Sequence, residues 1–144
     1  MMKTRRLPRI QKGFSLIEVL ITMVVVAIGL LGFAGLQTYA LKSNRLALQR
    51  SLATMNAYSI LDSMRVNKAQ AANSDYNQAY GGVAAAGTVA GDDLSAWNSA
   101  IASNLPSGQG AITVVGTAVS ISIRWKEGTQ ANDPYIVWST QTSL

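Results

Sequence analysis

Residues 12–21, KGFSLIEVLI, decide the fold, because they place a carboxylate, Glu18, at the start of a long apolar run. The eighteen residues from Val19 to Leu36 carry no charge. At about 1.5 Å per residue, an α-helix of that length spans roughly 27 Å, close to the hydrocarbon thickness of a bilayer. The run therefore predicts a single membrane-spanning helix.

The residues ahead of the run form a basic leader. Beyond Gly13, seven basic residues are balanced by seven acidic ones, so the net charge of +5 belongs to the leader and does not indicate a nucleic-acid-binding surface. The run is too long for a secretory signal peptide, and no small-x-small cleavage site clearly follows it, which favours a permanent helix. The excess of positive charge before the run favours a cytoplasmic N-terminus and an external C-terminal part. The five leader cations are Lys3, Arg5, Arg6, Arg9 and Lys12.

Glu18 has two interpretations. A carboxylate at mid-bilayer costs about 2.5–3.5 kcal/mol, and less near a helix end, so Glu18 is either a tolerated boundary residue or a site for a positively charged partner. If the chain were cut between Gly13 and Phe14, the new α-amino group of Phe14 would lie one helical turn from Glu18. Its charge would pair with a carboxylate of a neighbouring chain in a helical bundle, which would make Glu18 an assembly residue.

This segment resembles the class III signal of type IV pilins and type II secretion pseudopilins. The resemblance rests on a basic leader ending in Lys12-Gly13, then FSLIE at 14–18, then an apolar helix. In that family a prepilin peptidase cuts after the glycine and methylates the new N-terminus. The resemblance implies cleavage at Gly13 and Phe14, N-methylation at Phe14 and an assembly role for Glu18. The chain would then be a substrate of the peptidase.

Three glycines, Gly29, Gly32 and Gly35, recur every three residues within the run. They are either ordinary glycines of a membrane helix or a segment for close packing or local melting in a filament.

The helical pattern continues past the run. It predicts one helix from about residue 15 to about residue 68, whose second half packs on the C-terminal domain through its leucines and methionines. Residues 69–91 are rich in Ala, Gly, Asn and Gln, and they predict a long loop that is either a mobile connection or a functional surface. The apolar positions expected to face the domain are Leu41, Leu48, Leu52, Met55 and Met64, with Ala47, Tyr58 and Leu61 nearby.

Asp92 and Asp93 are predicted to cap a second helix that ends near Leu105. A metal or acid-base site there is disfavoured, because the chain has no histidine and no second acidic cluster. The absence of cysteine and histidine also excludes a cysteine nucleophile, Cys or His metal ligands and a Ser-His-Asp triad.

Three strands are predicted after this helix. Residues 118–127 alternate, with Val119, Ile121, Ile123 and Trp125 on one face and polar side chains on the other. Residues 111–115 precede them across a two-residue turn, Gly116-Thr117, and 135–139 form the third strand after the Gly128–Pro134 loop. The fold class is therefore α+β, pilin-like, with a small antiparallel sheet laid on the long helix. We expect Trp125 or Trp138 to be buried against that helix.

Scattered motifs of the C-terminal part are similar to those of PilV-type minor pilins, also called type IV pilus modification proteins. They are DSMRVN at 62–67, Trp97 with LPSG at 105–108, and ISIRW at 121–125. Family members often have a Glu-Arg pair ahead of the Met-Arg, where this chain has Asp62-Ser63.

The resemblance implies a minor pilin in the tip complex that starts pilus assembly. Its expected partners are prepilin peptidase, other minor pilins, the major pilin, the inner-membrane assembly platform and an adhesin at the tip; no cofactor is expected. Residues 1–13 would be the cleaved leader, 14–41 the transmembrane and assembly half of the helix, and 42–144 a periplasmic domain, carried from the inner membrane into the pilus. Alternatives are a minor pseudopilin of a type II secretion system and an uncut, membrane-anchored binding module. An enzyme is the weakest hypothesis, because the acidic residues are too scattered to form a site.

Overall fold

The computed structural model describes residues 13–128 and 132–144. Within them the structure confirms the predicted α+β fold. Residues 1–12 of the predicted leader and residues 129–131 of the predicted loop lie outside the described residues. The elements, in chain order, are α1 (Leu16–Val66), α2 (Lys68–Ala72), α3 (Val89–Asn104), β1 (Gln109–Val115), β2 (Ala118–Lys126) and β3 (Tyr135–Ser143).

The chain divides into two compact units, with the boundary after Lys42. In the first unit, α1 runs from Leu16 without a break, and Ser15 precedes it with its carbonyl oxygen accepting from the backbone N–H groups of Glu18 and Val19. By length and composition α1 is able to cross a membrane.

The sheet of the second unit is a three-stranded antiparallel meander in the order β1-β2-β3. Val115 pairs with Ala118 across the predicted two-residue turn, in which Gly116 has φ +63°. A positive φ at the first turn residue favours glycine and gives the turn a twist that matches the flanking strands. The turn prediction is confirmed. So is the alternation of β2, whose buried side chains are Val119, Ile121, Ile123 and Trp125.

The stripe of α1 that packs in the second unit differs from the predicted one. Leu48 and Met55, expected in the core, are 60% and 58% exposed, and Leu52 is only partly buried; Leu41, in the first unit, is exposed as well. Of the predicted positions, Leu61 and Met64 are buried. The buried stripe combines two alanines, two amide residues and three large apolar residues. Its buried members are Gln49, Ala53, Asn56, Ala57, Ile60, Leu61 and Met64.

Two acceptors on that stripe, the Gln49 side chain and the Asn56 backbone carbonyl, satisfy buried indole N–H groups, while the Asn56 side chain donates to the Leu52 carbonyl. The indole Nε1 of Trp125 donates to Gln49 Oε1 at 3.1 Å, and that of Trp97 donates to the backbone carbonyl of Asn56 at 2.9 Å. Both tryptophans are buried, so each bond satisfies a donor that would otherwise lose its water. The expectation that Trp125 is buried against the helix is confirmed, and Trp138 is half-buried.

The N-terminus of α3 corrects a second prediction. The helix begins at Val89, ahead of the aspartates, and its N-cap is Thr88, whose side-chain oxygen accepts from the Gly91 N–H at 3.0 Å. Asp92 lies in the first turn, where its charge still complements the helix dipole. Asp93 instead accepts a hydrogen bond from Tyr76. The local sequence pattern therefore predicted neither Thr88 as the N-cap nor Tyr76 as the partner of Asp93.

We expect Gly110→Ala to destabilise the second unit, because the new methyl group has no room against α3. A Cβ at position 110 would lie 2.5 Å from Trp97 Cζ3 and 3.0 Å from Ile101 Cδ1. Overpacking of this kind costs about 1–3 kcal/mol, which urea unfolding followed by tryptophan fluorescence will measure. The control is Thr113→Ala on the exposed face of β1, which should shift stability by less than about 0.5 kcal/mol. Equal shifts in the two variants would contradict the packing argument.

Candidate functional site

The predicted cleavage site lies in exposed, non-helical chain. Gly13, Phe14 and Ser15 precede α1, and the side chain of Phe14 is 83% exposed. The peptide bond between Gly13 and Phe14 therefore lies outside the helical hydrogen-bond pattern. A segment of this kind fits into the cleft of a peptidase without first unfolding.

Glu18 lies in the first turn of α1. Its carboxylate is exposed, and no described side chain bonds to it. The positive end of the helix dipole stabilises a carboxylate at this position by about 0.3–1 kcal/mol. No other described side chain offsets its charge.

The apolar surface of α1 in the first unit is exposed on all sides. None of its most apolar 18-residue window is buried, and this window has a mean hydropathy of 2.6. A helix that is hydrophobic all round requires lipid or neighbouring helices as its surroundings. Gly29, Gly32 and Gly35 lie within this helix, and a Cβ on any of them would meet nothing within 4 Å. No contact among the described residues therefore explains why these positions are glycine.

A buried polar network ties the predicted 69–91 loop to its surroundings. The Tyr76 hydroxyl donates to Asp93 Oδ2 at 2.5 Å and accepts from Asn67 Nδ2 at 3.3 Å. Gln70 Oε1 accepts from Asn67 Nδ2 and from the Ala90 N–H. Tyr76 is fully buried, and burial, with the hydrogen bond to Asp93 second, raises its pKa to about 12. The hydroxyl is therefore held in its protonated form as the centre of the network.

The same loop occupies the outer edge of β1. Gln78 exchanges two backbone hydrogen bonds with Ile112, at 3.0 and 2.8 Å, and Asn77 Oδ1 accepts from the Val114 N–H at 2.7 Å. The side-chain amides of Gln78 and Asn98 also pair reciprocally, at 2.9 and 3.0 Å. These bonds fix this part of the loop, where the sequence left open a mobile connection. Neither the network nor this edge contact was predicted, because both depend on partners far apart in the chain.

Arg124 lies on the outer face of the sheet, as the alternation of β2 predicts. Its guanidinium carbon is 4.2 Å from the ring centre of Tyr80 and 4.5 Å from that of Tyr135, and its Nη2 donates to Gln109 Oε1 at 2.6 Å. The cation therefore joins the loop, β1 and the start of β3. Among the described residues no group of three His, Cys, Asp or Glu side chains is placed to hold a metal ion.

Comparison with known protein families gives a match to one part of this chain. The prokaryotic N-terminal methylation motif matches residues 8–34, which include Gly13, Phe14, Glu18 and the first part of α1. No curated protein and no solved structure matches the chain. The match supports a type IV pilin-like prepilin, and a motif of this kind implies processing by a prepilin peptidase and assembly in the membrane with other pilins. Together with α1 it fits a single-pass, membrane-anchored pilin.

The Tyr76 network makes stability pH-dependent at alkaline pH. Because the pKa of Tyr76 is about 12 in the folded chain and 10.0 ordinarily, the unfolded chain loses this proton first as the pH rises. The stability that the protonated hydroxyl contributes is complete below about pH 10 and is lost as the pH rises toward 12.

We expect Tyr76→Phe to lower stability by about 1–2 kcal/mol at pH 7, since Asp93 loses its donor, and to flatten this alkaline loss. Denaturant unfolding of both proteins from pH 7 to 11.5 measures the difference. The matched control is Tyr58→Phe at an exposed position, which should leave the alkaline slope unchanged. An alkaline slope that is the same in wild type and Tyr76→Phe would contradict the assignment.

Proposed function

We propose that this chain is a minor pilin of a type IV pilus, of the PilV type, which joins the tip complex that starts pilus assembly. The observation that carries this proposal is the position of Glu18, in the first turn of a helix whose first part is apolar all round. Its carboxylate is exposed and has no described partner, and it follows Gly13 and Phe14 closely in the chain. The methylation motif over residues 8–34 supports the pilin-like part of this proposal. The PilV type and the tip complex rest on the resemblance of the C-terminal motifs.

The first step is hydrolysis of the peptide bond between Gly13 and Phe14 by prepilin peptidase. Water adds across the bond, which leaves a carboxylate on Gly13 and an ammonium group on Phe14. Transfer of a methyl group from an external methyl donor replaces one proton on that nitrogen, and the secondary amine that forms still carries a positive charge in its protonated form. The segment is suited to this step because it is exposed and non-helical, and because Gly13 has no side chain to hinder the peptidase.

The second step is assembly by charge pairing between chains. In a bundle of apolar helices, the Phe14 ammonium of one chain and the Glu18 carboxylate of its neighbour lie in a medium that screens charge poorly. An unpaired charge there is strongly disfavoured, so the pair selects one axial register of the two helices. Between helices in lipid the remaining attraction comes from close packing, which Gly29, Gly32 and Gly35 permit.

In this proposal residues 1–13 are removed, 14–41 span the inner membrane and then enter the filament, and 42–144 form the periplasmic domain. The assembly platform, other minor pilins, the major pilin and an adhesin at the tip are its partners. The chain acts through packing and carries out no catalysis. A minor pseudopilin of a type II secretion system would use the same chemistry at Gly13, Phe14 and Glu18, and recovery from secretion complexes rather than from sheared pili would identify it.

Processing is the direct test of the proposed pathway. We expect membrane-extracted protein to start at Phe14 and to carry one added methyl group when the host's prepilin peptidase is present. Without the peptidase the chain should retain its leader. Intact-mass measurement and N-terminal sequencing of both samples show whether the leader is removed and the methyl group added. A leader retained in both samples would instead identify an uncut, membrane-anchored module.

Glu18→Ala tests assembly separately from processing. The variant should insert, lose its leader and fold, because Glu18 contacts no described side chain. Its incorporation into sheared pili should fall by more than about tenfold, since a neighbour's ammonium group would be left unpaired. Immunoblots of pili and membranes measure the ratio. Thr22→Ala, one turn further along α1, is the control and should incorporate normally; normal incorporation of Glu18→Ala would refute the charge pairing.

A further inference from the structure

The two edges of the sheet differ in whether their outward-facing backbone groups have hydrogen-bond partners. On β1, the backbone groups that face away from β2 are occupied: Ile112 bonds to Gln78 through both its N–H and its carbonyl, the Val114 N–H donates to Asn77, and the Gly110 carbonyl accepts from the Gln78 side chain. Residues 77 and 78 therefore close this edge. No described segment plays the same part along β3.

The register shows which groups of β3 are free. Leu144 donates its N–H to the Thr117 carbonyl at 3.0 Å, directly beyond the pairing of Ala118 with Ser143. In an antiparallel pair, alternate residues exchange bonds with the partner strand, so the even-numbered residues of β3 bond to β2. The odd-numbered residues direct their N–H and carbonyl groups away from it. The groups of Val137, Ser139 and Gln141 meet no partner among the described residues.

The β3 edge also lacks the features that usually prevent strand pairing. Tyr135–Ser143 contains no charge, no proline and no glycine, and it pairs with β2 over nine residues without a bulge. Natural proteins commonly protect an edge of this length with charges, prolines, bulges or a covering segment. A regular, uncharged strand edge is a surface to which another strand binds through its backbone.

A groove runs beside this edge, between α1 and β3. Tyr58, Leu61 and Arg65 line it from α1, and Thr140 and Thr142 line it from β3. The inner-face residues of β3 are only half-buried, whereas their neighbours Ile121 and Ile123 on β2 are fully buried. The inner face of the sheet is thus left partly uncovered at β3, where an added strand would place its side chains.

We propose that the β3 edge binds an extended segment of a different protein chain, which adds to the sheet as a further strand. Backbone hydrogen bonds to Val137, Ser139 and Gln141 would supply affinity. Alternate apolar side chains of the segment would enter the groove above Leu61, and an acidic side chain would meet Arg65. The Asp62–Arg65 ion pair, 3.2 Å long, is exposed on both sides, so Arg65 reorients at little cost.

A second copy of this chain is a poorer occupant of the edge. Its β1 edge is already closed by Asn77 and Gln78. Its β3 strand contains no acidic residue, so it would bring nothing within the strand to complement Arg65. The groove and Arg65 therefore favour a segment of a different protein. That segment would be apolar at alternate positions and acidic at the end that lies beside Gln141. This inference goes beyond the proposed function and uses none of Gly13, Phe14 or Glu18.

Ser139→Pro and Ser139→Ala form the matched test pair. Proline removes an N–H that faces away from β2, so the β2–β3 ladder keeps its bonds, and its ring obstructs an incoming strand. Alanine keeps the N–H. Thermal unfolding of the two purified full-length proteins should agree within about 5 °C, which shows that the proline variant is folded. If proline disrupts the fold, Val137→Pro with Val137→Ala replaces the pair.

Binding is measured by amide hydrogen exchange and by cross-linking. We expect the amides of Val137, Ser139 and Gln141 to exchange at least about tenfold more slowly in native membranes or pili than in detergent-dispersed single chains. A photo-cross-linker at Val137 should join one defined segment of another protein. Ser139→Pro should reduce this cross-link by about tenfold or more, and Ser139→Ala should not.

Three results would overturn the inference: unchanged exchange at these amides, a cross-link from position 137 to β3 of another copy, or an equal cross-link in Ser139→Pro and Ser139→Ala. Failure of the proposed function is distinguishable from these, since it appears as a retained leader in the wild type. The edge test remains valid on such an uncut protein.

Discussion

The structure depends on one constraint, which is that a single helix, α1, has to suit two different environments. In the first unit its large apolar side chains are exposed, and a helix that is hydrophobic all round requires lipid or neighbouring helices as its surroundings. Beyond Ser43 one stripe of the helix forms the core of the second unit. The composition changes accordingly, from large aliphatic residues exposed on every side to a single buried stripe of two alanines, two amide residues, Ile60, Leu61 and Met64.

Two acceptors in that stripe explain how α3 and β2 each place a buried tryptophan beside α1 without leaving its indole donor unsatisfied. The Gln49 side chain accepts from the indole N–H of Trp125, and the Asn56 backbone carbonyl accepts from that of Trp97. An apolar residue at position 49 would fill space equally well but would leave the Trp125 donor unsatisfied. Packing and hydrogen bonding thus select the same positions of α1.

The features predicted from sequence are those with short-range causes. Alternation over residues 118–127 predicts β2, because a strand half-buried on one face repeats every two residues. Gly116-Thr117 predicts the hairpin, because a tight turn tolerates few residue types. The motif from Gly13 to Glu18 is recognisable because its residues are neighbours in the sequence.

The features that sequence reasoning missed have long-range causes. Leu48 and Met55 looked like core residues by hydrophobicity, but the sheet approaches the alanine side of α1, and nothing local in the sequence indicates that side. Asp93 looked like a cap because it stands near a helix start, yet its partner Tyr76 lies in the preceding loop. The same holds for Asn77 and Gln78, whose role at the β1 edge appears only once the strands are in place.

Several features of the chain have no explanation within its own described contacts, and all of them face outward. Glu18 has no described counter-charge, the helix glycines face open space, and the β3 edge presents free backbone groups. At the β1 edge, in contrast, Asn77 and Gln78 bond to the backbone groups that face away from β2. The second unit folds around a complete core without using β3's outer groups, so leaving them free costs the isolated chain little in water. Desolvating them in an assembly without a partner would be costly, so that edge would favour an incoming strand over any neighbour that offers only side chains.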